Sequence, residues 1–277
     1  MIVYPIAKIN LGLNVVEKRS DGYHNLQTVF YPVPIKDALE VHIMDDGYPT
    51  LTDCDLKVDN IHIEGNEQNN LVVRAYHMVK EDFPDLPRIH IHLWKSIPLQ
   101  AGMGGGSSDG AYMLLLLNRL FNLELTEEQM LRYAARLGAD CPFFIKSVPC
   151  NAEGIGEVLQ ENLLDLSGWY LAIVKPNIPV STKEAFSMIH PHWPENNCFE
   201  VVKQPAYSWK DSLVNDFEES VFSLHPEIGS IKEQLYNIGA TYASMTGSGS
   251  ALYGLFRESP AFLQKEFPGM FTFNCML

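Results

Sequence analysis

The 277-residue chain is poor in cations. It carries 20 Lys and Arg against 34 Asp and Glu, a formal net charge of −14. Clusters of Lys and Arg are what neutralise the phosphates of nucleic acid or anionic lipid, so both are excluded as natural partners. Taken alone, the deficit also argues against small polyanionic substrates. Cysteine is sparse and scattered: Cys54, Cys141, Cys150, Cys198 and Cys275 form no CxxC pair, and their number is odd. That pattern excludes a disulfide framework and a zinc ribbon, and predicts free thiols in a reducing cytoplasm. Long apolar runs are missing too. The longest aliphatic stretch, Met113 to Leu117, is far too short to span a bilayer, and the N-terminus has no basic segment followed by an apolar one. No glycine precedes a lysine, which excludes the Walker phosphate loop. No repeat or low-complexity linker is present.

What remains is ordinary globular composition, 46% hydrophobic and 19% charged, enough for one large or two modest domains. Ile2–Val16 and Gln27–Val33 read as strands around the turn Arg19-Ser-Asp-Gly22. Residues 39–64 alternate loosely (Leu39, Val41, Ile43, then Val58, Ile61, Ile63) and predict half-buried antiparallel strands. Asn70–Val79 has helical spacing. In Arg88–Trp94, Ile89, Ile91 and Leu93 alternate with His90 and His92, a strand with one buried face. The two histidines would suit a metal pair, but no third ligand accompanies them. Thr126-Glu-Glu-Gln129 is a capping box, with Gly138 as the C′ residue of its helix. Beyond residue 150 the elements shorten: a strand at 169–175, helices near 183–189 and 226–238, and a strand after Met245-Thr-Gly-Ser-Gly-Ser250. Antiparallel strands mixed with helices predict an α+β protein of two domains, 1–150 and 151–277.

The segment Pro98-Leu99-Gln100-Ala101-Gly102-Met103-Gly104-Gly105-Gly106-Ser107-Ser108 holds four of the chain's 19 glycines and sits between a strand and an apolar helix at Tyr112–Phe121. Glycine lets a ligand approach bare backbone, and the amides ahead of a helix form an anion nest reinforced by the helix dipole. Ser107 and Ser108 are placed to cap that helix or to donate to phosphate. Lacking its own lysine, the loop would hold a nucleotide through backbone dipoles.

Three separated segments resemble one family, the GHMP small-molecule kinases: Pro5-Ile-Ala-Lys8-Ile-Asn10-Leu-Gly-Leu, the glycine loop, and Met245–Ser250. The resemblance spans nearly the whole chain. It implies two domains with mixed and antiparallel sheets flanked by helices, an active site in the cleft between them, an ATP-binding N-terminal domain and a substrate-binding C-terminal one. Within the family, RSDGYHNLQTVF (19–30) and LGADCPFF (137–144) resemble the kinases of a cytidine-diphosphate-linked alcohol. The resemblance makes Asp140 the base that takes the hydroxyl proton and sets Lys8 beside it to stabilise charge on the reacting oxygen. Without it, Asp140 reads as a helix-end aspartate and Lys8 as a solvated edge residue. Asn10, on the Lys8 face, could hydrogen-bond the substrate. Tyr23 and His24 would read cytosine, with Phe186 as the opposite wall and Thr182 lining the site. Mg²⁺ would arrive with ATP, with no metal ligand among the side chains; Asp109 is a weak match for the carboxylate some relatives use. Rivals are a homoserine- or mevalonate-type kinase of the family, a related decarboxylase, and a non-catalytic relative. The DGYH segment and the Gly-Ala-Asp aspartate argue against the other kinases. The Lys8 and Asp140 pair argues against a relative that has lost catalysis. The charge deficit is also local: residues 40–85 carry 11 acidic and 3 basic side chains and none of the motifs.

Overall fold

The structure is a computed structural model that describes residues 1–45, 47–50, 52–63 and 65–277. In chain order, strands β1 (Ile2–Val3), β2 (Ile6–Lys18), β3 (His24–Lys36), β4 (Ala38–Ile43) and β5 (Cys54–Asp59) precede helix α1 (Leu71–Asp82) and strand β6 (Ile89–Trp94). Helices α2 (Gly105–Phe121), α3 (Glu127–Leu137) and α4 (Cys141–Lys146) follow, then β7 (Cys150–Glu153), β8 (Val158–Glu161) and β9 (Tyr170–Lys175). The remainder is α5 (Thr182–Ala185), α6 (Cys198–Val201), α7 (Phe217–Leu224), α8 (Pro226–Asn237), β10 (Tyr242–Met245), β11 (Leu252–Phe256), α9 (Leu263–Glu266) and β12 (Phe271–Met276). The α+β class is as expected.

Packing divides the chain into two units, and not by a single cut at residue 150. The first unit is Met1–Ala7, Pro34–Leu99 and Gly104–Ser147; the second is Lys8–Val33, Gln100–Met103 and Val148–Leu277. The reason is β-pairing. β2 and β3 continue through β7 and β8 as one sheet, so the early hairpin belongs with the later chain.

In the first unit a sheet of order β1-β4-β6-β5 packs with α1 to α4. Ile89, Ile91 and Leu93 are fully buried, so the alternation read from sequence is the buried face of β6. The expected antiparallel pairing fails for β5, which runs parallel to β6. The chain between them contains α1, and a helical crossover returns a strand parallel to the one it left. Ile61 and Ile63 lie beyond the end of that strand. Asn70 caps α1 by accepting from the Val72 amide, and Thr126 with Gln129 forms both bonds of the predicted capping box. Gly138 does follow α3, but its φ of 175° is extended backbone, not the left-handed turn expected of a C′ glycine.

In the second unit the sheet β2-β3-β7-β8 accompanies a second sheet, β10-β11-β9-β12. One core joins Leu13 and Val15 of β2 to Ala172 and Val174 of β9, Phe217 and Val221 of α7, and Ile228, Ile231 and Leu235 of α8. Burying a side chain of this size stabilises by about 1.5–3 kcal/mol before entropy is counted, so β2 is anchored firmly in this unit. All five cysteines are free thiols. Among the described residues no helix is long and apolar enough to cross a membrane.

Candidate active site

Helix α2 starts at Gly105, inside the glycine loop and seven residues before the apolar segment that signalled it. Glycine's poor helix propensity hides this start from sequence; packing overrides it. Gly104 is the N-cap, left-handed at φ 69°, and offers no side chain to cap the helix. Ser107 and Ser108 therefore do not cap: they lie within the first turns. Ser108 is buried with its hydroxyl unpartnered. The first-turn amides receive no capping side chain, and a Cβ built on Gly106 would meet nothing within 4 Å. An uncapped N-terminus of a 17-residue helix, open at a glycine, leaves amides and the positive dipole end available to an anion. Ahead of it Pro98 and Ala101 are buried, and Gln100 and Gly102 share the left-handed conformation of Gly104.

Behind this turn is a buried ion cluster that the motif reading missed. Lys95, 1% exposed, donates to Asp109 Oδ2 at 2.7 Å and to Asp37 Oδ2. The other oxygen of Asp37 accepts from the amides of Ser96 and Ile97, while Asp109 Oδ1 has no partner. The cluster ties the end of β6 to the second turn of α2. Burial pushes the Asp109 carboxyl well above its ordinary value, against the pull of Lys95. Burial works to lower the Lys95 ammonium, but the two carboxylates more than offset it and raise it. Asp109 Oδ2 is thus taken up by Lys95. The signal was available: Lys95 continues the odd-numbered buried face of β6.

Asp140 stands at the N-cap of α4 with Pro142 in the first turn, and its side chain makes no capping bond to that helix. Helix α4 packs along α2.

In the second unit Lys8 is not a solvated edge residue: it is 3% exposed, in a strand buried on both faces. Its ammonium lies 4.9 Å from the centre of the Phe30 ring and donates to Asn10 Oδ1 at 2.6 Å. Asn10 is equally buried. It donates through Nδ2 to Thr28 Oγ1 (3.0 Å) and through its backbone N–H to Thr246 Oγ1 (3.0 Å). Thr246 shares its proton between Asn10 Oδ1 and Gly102 O, both at 3.2 Å. A Cβ on Gly102 would fall 1.9 Å from Thr246 O, so glycine is obligatory at this approach. Lys8, Asn10, Gly102 and the Met245–Ser250 loop thus form one network, in which Thr28 and Thr246 were not foreseen. The backbone approach of the two Gly/Ser segments, 144 residues apart, leaves no periodic signal in sequence.

Tyr23 follows the predicted turn and is 61% exposed, so it is not a core tyrosine. His24 stacks on Phe186, with centroids 4.6 Å apart and planes at 23°, and Phe186 meets Phe217 edge-on. Phe186 thus stands as a wall against the His24 ring. Burial, helped by the Lys18 charge, lowers the His24 pKa and favours the neutral ring. Thr182 opens α5, exposed. His90 and His92 are each held by a carboxylate of β5, Asp55 at 2.8 Å and Asp59 at 2.7 Å. Among the described residues no cluster of three or more His, Cys, Asp or Glu could hold a metal ion.

The architecture and the glycine cradle match a defined class. Residues 70–147 fit the GHMP kinases N-terminal domain and residues 197–270 the GHMP kinases C-terminal domain; the chain belongs to the GHMP kinase family. It is 49% identical over 277 residues, all of both chains, to the 4-diphosphocytidyl-2-C-methyl-D-erythritol kinase of Bacteroides fragilis. It is 53% identical over 256 residues, 92% of each chain, to the enzyme of the same name from Bacteroides thetaiotaomicron. A crystal structure of 4-(cytidine 5'-diphospho)-2C-methyl-D-erythritol kinase superposes with a TM-score of 0.78 at 31% identity, covering 92% of this chain and 90% of that one. A homoserine kinase from Cytophaga hutchinsonii, 16% identical over 98% of this chain and 93% of its own with a TM-score of 0.68, shares the fold.

Proposed function

We propose that this kinase transfers the γ-phosphoryl group of ATP to the 2-hydroxyl of 4-diphosphocytidyl-2-C-methyl-D-erythritol, in the methylerythritol phosphate branch of isoprenoid biosynthesis. The observation that carries the chemistry is the uncapped start of α2 beside the helix that presents Asp140. The acceptor follows from the full-length likeness to kinases of that name. Bound ATP with Mg²⁺ supplies the phosphoryl group and neutralises its charge. The amides of Gly105, Gly106 and Ser107 hold phosphate oxygens, and the preceding residues from Pro98 to Gly104 shape the approach. Asp140 accepts the hydroxyl proton. Lys8, desolvated and fixed by Asn10, stabilises negative charge on the reacting oxygen. Asn10 serves the substrate chiefly through Lys8, since its amide is already engaged. The neutral His24 ring offers cytosine a donor and an acceptor edge, Phe186 backs it, Tyr23 supplies an open ring face, and Thr182 borders the site. Mg²⁺ would arrive with ATP, and no side chain is assigned to it here. Five free thiols fit a reducing cytoplasm as the compartment.

Purified protein offered Mg-ATP with the cytidyl alcohol, homoserine or mevalonate, followed by ADP release, tests this reading. Turnover of the cytidyl alcohol alone is expected; turnover of another acceptor instead would sink it. Asp140→Asn should lower kcat by about 10²–10⁴-fold with ATP affinity nearly unchanged. Activity near the wild-type level would refute the base.

A further inference from the structure

The segment Asn215-Asp-Phe-Glu218, at the entry to α7, takes part in none of the motifs, yet its side chains are buried or half-buried. Asn215 is 3% exposed and fully engaged. Its Nδ2 donates to Met245 O at 2.8 Å and to Gly247 O at 2.9 Å, straddling Thr246. Its Oδ1 accepts from the Phe217 amide at 3.0 Å, which ties the donor group to the first turn of α7. Glu218 Oε1 takes the Met245 amide (2.8 Å) and the Ser244 hydroxyl (2.9 Å), while Oε2 is fixed by Lys232 at 2.6 Å. Asp216 accepts from the Val15 amide at 2.7 Å and from Asn14, on the strand that carries Lys8 and Asn10. One turn of chain thus grips both the Met245–Gly247 backbone and β2.

We infer that Asn215 is a positioning residue for phosphoryl transfer: it sets Thr246, and through Thr246 the Asn10 amide and the Lys8 ammonium. The geometry permits little slack. Two carbonyls on either side of Thr246 are pinned by one amide group, and the Thr246 hydroxyl has three neighbours, all within 3.2 Å. A shift of the loop therefore moves Asn10 Oδ1, the acceptor that orients Lys8. Misplacement by about 1 Å far from the chemistry can cost about 10²-fold in rate. The inference rests on the kinase reading above, and the experiment separates the two.

Asn215→Asp is the informative variant. It keeps the oxygen that accepts from Phe217, so the local turn survives, but replaces the donor group with an oxygen facing two carbonyl oxygens. With the folded state verified by circular dichroism and the assay run well below the melting temperature, kcat on the cytidyl alcohol should fall about 10–100-fold. KM for ATP should stay within about threefold, because the phosphate cradle on α2 is untouched. Thr246→Val should lower kcat comparably, and Thr246→Ser should restore most of it. The double variant Asn215→Asp with Thr246→Val should be little worse than the poorer single one, since both cut the same chain of contacts. Wild-type kcat in Asn215→Asp with only the melting temperature lowered overturns the proposal, and so do additive effects in the double variant. If Asn215→Asp does not fold, Thr246→Val at wild-type kcat is enough to overturn it. Wild-type protein inactive on the cytidyl alcohol in the same assay removes the kinase reading itself, and the proposal with it.

Discussion

Lys95→Met tests the buried cluster behind the glycine cradle. Methionine matches the length of the lysine stem but removes the ammonium, leaving Asp37 and Asp109 to face each other with side chains almost wholly buried. Asp37 keeps the amides of Ser96 and Ile97; Asp109 keeps nothing, since Oδ1 is already unpartnered. Removing one partner of a buried ion pair typically costs about 3–5 kcal/mol, and a surplus carboxylate places this case toward the upper end. For a chain of this size that is a drop in melting temperature of about 10 °C or more. The loss has a pH signature. Burial already holds the Asp109 carboxyl well above its ordinary value, so the folded protein binds a proton that the unfolded chain releases. Such a group stabilises the fold at low pH and loses that contribution as pH rises from the ordinary carboxyl range through the folded value. Without Lys95 the folded value rises further, so the variant should be penalised more at about pH 8 than at about pH 5.5. Thermal and urea unfolding of both proteins at the two pH values measure this directly. Asp109→Asn, which removes the surplus charge, should lose far less than Lys95→Met. A loss below about 1 kcal/mol, or one equal at both pH values, would refute the account of the cluster as a buried charge balance.

Gly102→Ala should abolish stable folding or activity, because its Cβ would collide with Thr246 O and φ is left-handed. Gly106→Ala meets no obstruction and should hold or raise the melting temperature while raising KM for ATP, a split visible by pairing calorimetry with kinetics. Thr126→Ala removes one bond of the capping box and should cost about 1 kcal/mol in urea unfolding, with kcat unchanged. Burial pushes the thiols of Cys54, Cys141, Cys150 and Cys198 up to about 12, and Cys275 to about 11. Native protein at neutral pH should therefore react slowly with iodoacetamide at every cysteine, and unfolded protein rapidly at all five.

Periodicity found what is local. The alternation of β6, the capping box at Thr126 and the α+β pattern each depend on residues a few positions apart, and each is present. Where tertiary packing decides, the sequence reading strayed. Three consecutive glycines hide the start of α2 at Gly105, and the direction of β5 depends on the crossover that follows it. The candidate site divides similarly. The glycine loop and Asp140 stand in compact motifs. Thr246 meets Asn10 across 236 positions, and Asn215 meets Gly247 across 32. No spacing rule reaches those contacts. Lys95 alone could have been recovered, by carrying the buried face of β6 one step further.

The β2–β3 hairpin is made early in synthesis and finished late. Its inward side chains wait for β9, α7, α8 and β11, which the ribosome delivers only after the intervening unit has been produced. At about 5–20 residues per second that delay is on the order of ten to forty seconds. Throughout it, an apolar ribbon with open edges waits for its packing partners. A chain cut short before β9 should therefore leave the N-terminal hairpin without most of its core.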